Sequence, residues 1–203
     1  MRYSALTFAV PLRDRLLPKP EPGRVALIAA WDDDQALDRF LSKHPLAEAM
    51  QDGWRTRLEP THVFGVWPPL QDLLGEAQPM DEEEPAAVLT IGRLRFSQAV
   101  RFVKASAGAE QLAVESPAMM RGTGLTRPPS LVATFSLWTS TREMRAYAAG
   151  AEKPEHRAAV KAHAARPFHH ASAFIRFRPY GSEGQWDGSN PLANRVPAAA
   201  PLA

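Results

Sequence analysis

Apolar and polar positions along this chain fall into one arrangement that occurs twice. Residues 23–31, Gly-Arg-Val-Ala-Leu-Ile-Ala-Ala-Trp, are nearly continuously apolar and end in Trp31. Residues 130–138, Ser-Leu-Val-Ala-Thr-Phe-Ser-Leu-Trp, are a second such run and end in Trp138. A short apolar run bounded by turn residues reads as a buried strand. Each is followed at once by polar cap residues and a short amphipathic helix. Behind Trp31, the carboxylates of residues 32–34 can accept the free amides of a first helical turn, and Leu37, Phe40 and Leu41 recur at helical spacing. Behind Trp138, Ser140-Thr-Arg-Glu143 is a capping box, with Met144 and Tyr147 on the inward face. The two Trp residues lie about half the chain apart, the signature of a unit present twice.

The remaining segments fill in the two copies. Residues 4–10 and 24–31 read as strands, Pro45 opens a further helical turn, and residues 54–67 supply one or two strands interrupted at Pro60. In the second half, a strand at 86–95 leads into a helix at 96–114 with Val100, Val103 and Ala107 on one face. A short strand at 118–122, the Trp138 strand, a helix from about 154 to 165 and a strand at 172–178 follow. Strand, helix, strand, strand, helix, strand is the ferredoxin-like order. The first half lacks its first helix, because residues 16–22 are too few and too rich in proline. The expected fold is α+β, two ferredoxin-like repeats fused into a dimeric-type α+β barrel with an apolar pocket between sheet and helices. The expected divisions are a first half over 1–74, an acidic linker over 75–85, a second half over 86–180, and a partly disordered tail over 181–203. The linker carries Asp81-Glu-Glu-Glu84, and a run of like charges is normally solvated.

Composition narrows the classes of function. Net charge is +2 and the arginines are scattered, which argues against nucleic acid as partner. With no cysteine, disulfides, thiolate metal sites and thiol nucleophiles are excluded, and a cytoplasmic location is expected. Residues 1–10 lack a signal-peptide pattern and no apolar run reaches membrane-spanning length, so at most peripheral membrane contact is expected. An internally paired barrel is expected as a monomer or homodimer.

The six histidines are the first candidates for chemistry. His156 and His163 are seven apart on one expected helix and share a face. His44 ends a helix, His62 lies in the 54–67 region, and His169 and His170 precede the last strand. There is no zinc or facial-triad spacing. A single histidine facing a large apolar pocket can serve as an axial haem ligand, and His156 is the first candidate with His163 second. Trp31 and Trp138 end equivalent strands as core or rim, and Trp31, Trp138, Tyr147 and Phe135 are the expected pocket lining. Trp54 and Trp67 are further lining candidates. The Gly122-Thr-Gly124 turn lacks phosphate-loop context, and no nucleophile elbow is present. Arg176 and Arg178 alternate on the last strand and face one side, where a solvated face or an acidic ligand group would meet them.

Residues 124–138, through Thr134-Phe-Ser-Leu-Trp138, resemble the Thr-Phe-Ser-Ile/Leu-Trp block of the spheroidene monooxygenase family. Tyr147 followed by His156-Arg-Ala-Ala-Val resembles that family's aromatic residue and His helix. Phe174-Ile-Arg-Phe177 and Gly184-Gln-Trp-Asp-Gly-Ser-Asn-Pro-Leu192 resemble its closing strand and tail. The resemblance covers most of the second half and extends weakly to residues 25–31. It implies a two-repeat ferredoxin-like barrel and a haem-dependent oxygenase that inserts oxygen into a long apolar polyene such as a carotenoid. By position it carries over His156 as haem ligand, and it implies an electron donor as partner. Two other readings stand beside it: a non-catalytic barrel that binds a small apolar ligand, and a cofactor-free barrel monooxygenase.

Overall fold

The computed structural model describes residues 1–12, 23–73, 77–149 and 167–196. In chain order the strands are β1 (Tyr3–Pro11), β2 (Val25–Ala30), β3 (Arg55–Val66), β4 (Ala86–Leu94), β5 (Met119–Arg127), β6 (Leu131–Trp138) and β7 (His169–Glu183). Helices α1 (Asp34–Lys43) and α2 (Pro45–Ala49) lie between β2 and β3. Helix α3 (Ala99–Val114) joins β4 to β5, and α4 (Thr141–Ala149) follows β6. The strands make one sheet in the order β2-β1-β5-β6-β4-β7-β3, every pairing antiparallel.

Local signals account for most element ends. The Asp33 carboxylate accepts the Ala36 amide at 2.6 Å and starts α1. The His44 Nδ1 accepts the Leu46 amide at 3.1 Å and, with Pro45 in the first position, starts α2. Ser140 Oγ accepts the Glu143 amide at 3.2 Å, half of the expected capping box. The break expected at Pro60 is a bulge between Pro60 and His62 within one long strand. That placement is possible because β3 is an edge strand, where proline's missing N–H costs no ladder bond.

The second half contributes β5-β6-β4-β7, the middle of the sheet, in ferredoxin-like order. The first half builds no separate sheet. Its β1 and β2 extend the β5 edge, and its β3 extends the opposite edge at β7. Open edges leave backbone donors and acceptors unpaired, and the first-half strands satisfy both. The sheet curls until its two edges approach each other across α1. Asp34, just beyond β2, accepts from Arg57 Nη1 of β3 at 2.8 Å and from the Tyr180 hydroxyl of β7 at 2.7 Å. Arg57 Nη2 also donates to Asp38 at 2.5 Å, one helical turn further along α1.

Alternation along β4 separates two apolar layers. Leu89 and Ile91 face the concave side with Ile175, Ala173 and Leu131. Ala86 and Val88 face the other side with Trp138 and Met144 of α4. One expectation is corrected here. Val100, expected inward on its helix, is 72 % exposed, because α3 begins only at Ala99 after a 3-10 turn over Phe96–Gln98 that rotates its start outward. The acidic run at 81–84 is exposed to solvent, with surface ion pairs from Arg142 to Glu82 and Glu83 and from Arg178 to Glu84. The chain between 184 and 196 is ordered against the barrel, with Leu192 completely buried. Its close approach requires Gly184, whose φ is +74° and where a Cβ would lie 2.1 Å from the Gly53 carbonyl oxygen. Residues 197–203 lie outside the described residues.

Candidate functional site: an apolar trough with one polar end

The concave face draws on every strand, and its composition is distinctive. Seven of its nineteen members are alanine: Ala5, Ala9, Ala26, Ala30, Ala133, Ala171 and Ala173. Ten of the nineteen are only partly buried, among them Ile28, Val63, Phe135 and Phe177. Small side chains on a curled sheet leave the interior incompletely filled, so apolar surface remains open to a ligand. The trough runs lengthwise along the strands, roughly 20 Å from Ala87 to Arg93 of β4 at about 3.3 Å per residue.

One end is closed by aromatic rings. Trp54 packs on Trp186 at 5.2 Å and on Phe135 at 6.0 Å between ring centroids. Leu192 seals the same end with Ala87 and Leu137. Its polar atoms are satisfied: the Trp54 indole N–H donates to Ser182 Oγ at 2.9 Å, and the Ser182 hydroxyl donates to Asn190 Oδ1 at 2.7 Å. Asn190 also accepts the Leu192 amide at 3.0 Å.

The other end carries the polar groups. Arg93, Leu131 and Arg127 form one cross-strand row on β4, β6 and β5. The Arg93 guanidinium lies 6.0 Å from the centre of the Trp67 ring, and neither arginine has a carboxylate partner among the described residues. Trp67 is 1 % exposed. Its indole N–H and the Tyr3 hydroxyl are both buried and face each other too loosely for a regular hydrogen bond, and neither has another partner among the described residues. Burial raises the pKa of Tyr3, opposed by the nearby Trp67 indole and by the charges of Arg127 and Arg93. The phenol is therefore a neutral donor throughout the physiological range.

The expected site residues divide between the two layers. Phe135 lines the trough, where it joins the open section to the aromatic plug. Trp138 and Tyr147 stack on each other at 4.7 Å in the opposite layer, under α4. Trp31 packs on Phe40 of α1 at 4.9 Å. His156 and His163 lie outside the described residues. Of the other histidines, His44 caps α2, His62 and His170 are exposed, and His169 packs over Gly92 and against Phe102. None belongs to the trough. Sequence reading missed Tyr3, Arg93 and Arg127, which carry no motif and meet only because three distant strands end side by side. Arg178 is fixed by Glu59 and Glu84, and Arg176 donates to Thr61 Oγ at 3.4 Å.

No family model matches the chain. It does match curated relatives over most of its length. The spheroidene monooxygenase of Rubrivivax gelatinosus is 34 % identical over 176 residues, which are 84 % of this chain and 66 % of that protein. The spheroidene monooxygenase of Cereibacter sphaeroides is 26 % identical over 186 residues, 89 % of this chain and 57 % of that protein. This chain belongs to the spheroidene monooxygenase family. As a member of that family it spans about three fifths of the length of these two relatives. Among solved structures, a proposed monooxygenase from Fusobacterium nucleatum is similar over 92 % of this chain and 80 % of that one, with 8 % identity and a TM-score of 0.46. Among the described residues of this family member, no helix is long and apolar enough to cross a membrane.

Proposed function

We propose that this chain is a monooxygenase acting on a long apolar polyene of the carotenoid class, held along the concave trough. The observation that carries the reading is the partly open, alanine-rich apolar face, in a chain whose curated relatives bear the name spheroidene monooxygenase. A rod-shaped hydrocarbon needs apolar contact along its length and little bulk in its way. About 25 cal/mol is gained per Å² of apolar surface removed from water. The aromatic plug stops the ligand at one end, so the fixed length of the trough sets which carbon reaches the reacting position. In such a reaction one oxygen atom of O2 enters the substrate and the other leaves as water, with two electrons from an external donor.

The trough's apolar residues bind, orient and exclude water. Apolar side chains supply no iron ligand, so haem would need a histidine from beside them. Haem held by His156 or by His163 remains part of the proposal, and an absorption titration addresses it directly. A Soret band that saturates near one haem per chain, and is lost in His156→Ala or His163→Ala, is the expected result. The test of the activity is to incubate the protein with a carotenoid in micelles under labelled O2, with a reductant. Substrate that gains one labelled oxygen supports the reading. Binding without incorporation, with and without haem, would move the assignment to a non-catalytic carrier.

A further inference from the structure

Two side chains in the trough have their only polar atom buried with no partner but a loose contact with each other. Burying a donor without a good acceptor is costly, so a folded protein retains few of them. Arg55 and Arg121 also have a buried Nε without a partner, but their other nitrogens are bonded, to Glu183 and to the Met120 carbonyl and Ser189. Trp67 and Tyr3 have no second polar atom to compensate. Both belong to the concave cluster, and both stand at the end opposite the well-satisfied aromatic plug. Arg93 and Arg127 close round the same spot with no acidic partner among the described residues, so the local field is positive. Two donors and two cations around an otherwise apolar end make a receptor for oxygen.

We propose that Trp67 and Tyr3 form a recognition subsite for a hydrogen-bond-accepting oxygen at one end of the elongated apolar ligand. The class of ligand is an apolar chain ending in a carbonyl, ether or carboxylate oxygen. The indole N–H and the phenol O–H donate to that oxygen, and Arg93 and Arg127 favour the negative end of its dipole or a full negative charge. The subsite would fix which end of the polyene enters first, and hence which carbon is oxidised. This rests on the trough reading above.

Three fluorescent probes of equal length separate the possibilities: the conjugated tetraene cis-parinaric acid, its methyl ester, and the corresponding tetraene hydrocarbon. Equilibrium titrations of the full chain should show the ester or the acid binding about tenfold more tightly than the hydrocarbon, the size of one net hydrogen bond. Trp67→Phe and Tyr3→Phe keep the rings and delete the donors. Each should weaken the oxygen-bearing probes about three- to tenfold and leave the hydrocarbon unchanged. A preference for acid over ester that is lost in Arg93→Gln with Arg127→Gln would identify a carboxylate end. Equal binding of acid and ester would identify a neutral acceptor. Equal affinity of all three probes for the wild-type chain would overturn the subsite, as would a Trp67→Phe effect of the same size on every probe. If Trp67→Phe does not fold, the wild-type comparison and Tyr3→Phe decide. Failure of all three probes to bind would instead remove the trough reading itself.

Discussion

Tyr180 shows how burial and one neighbour set a residue's chemistry. Burial, and then its hydrogen bond to Asp34, push its hydroxyl up to about 12. The raised value means that its contribution to stability is fully present below pH 10 and disappears as pH rises through about 12. Absorbance titration at 295 nm should show one of the three tyrosines ionising about two pH units later than a free phenol. That late step should vanish in Tyr180→Phe. Asp34 moves the other way, held below the usual carboxylate range by the Tyr180 hydroxyl and by Arg57. Its contribution is present above about pH 4 and is lost as pH falls below that. Acid unfolding of Tyr180→Phe should therefore begin at a higher pH than in the wild type. In the core, Leu137 is fully buried between the trough and its plug. Leu137→Ala should cost about 2–5 kcal/mol in urea unfolding.

Helix α1 is held by a small set of polar contacts rather than by deep burial, since none of its residues is fully buried. Arg57 spans Asp34 and Asp38 with a side chain only 11 % exposed, so its removal costs both carboxylates their partner and leaves a gap between α1 and β3. Arg57→Ala should destabilise the chain by about 1–3 kcal/mol and expose α1 first in hydrogen exchange. A Lys at this position keeps the charge but not the forked geometry, so Arg57→Lys should recover only part of the loss. The interruption expected at Pro60 is only a bulge, and Val100 turns to solvent, for one reason. Both depend on which neighbour the segment packs against, and sequence periodicity carries no record of neighbours.

At the scale of the whole molecule, the plug and the trough are coupled. Leu192, Trp186 and Trp54 close one end, and the segment that carries two of them enters through the tight turn at Gly184. Gly184→Ala cannot keep that approach, because the added carbon would meet the Gly53 backbone. The variant should lose the plug and bind apolar probes longer than those the wild type accepts, as read by the longest polyene that raises its Tm. In the wild-type chain any apolar ligand of the trough should raise Tm with concentration, since it binds only the folded state.

The sequence by itself determined the elements: the two Trp-ended strands, the cap at Asp33, the Ser140 cap, and the strand order of the second half. Those features are local, written in spacings of two to four residues, and local free energies suffice to form them. The family was also legible, because blocks around Trp138, Phe174 and Trp186 keep their order. Tertiary structure alone decided that the first-half strands divide between the two edges of one sheet, and which layer each aromatic residue joined. Phe135 and Trp138 lie three positions apart on one strand, so the pleat sends them to opposite faces. The polar end of the trough was likewise invisible in sequence. Tyr3, Arg93 and Arg127 come from three different strands and Trp67 from just beyond a fourth, and only the curl of the sheet, set by long-range pairing of backbone edges, brings them to one place.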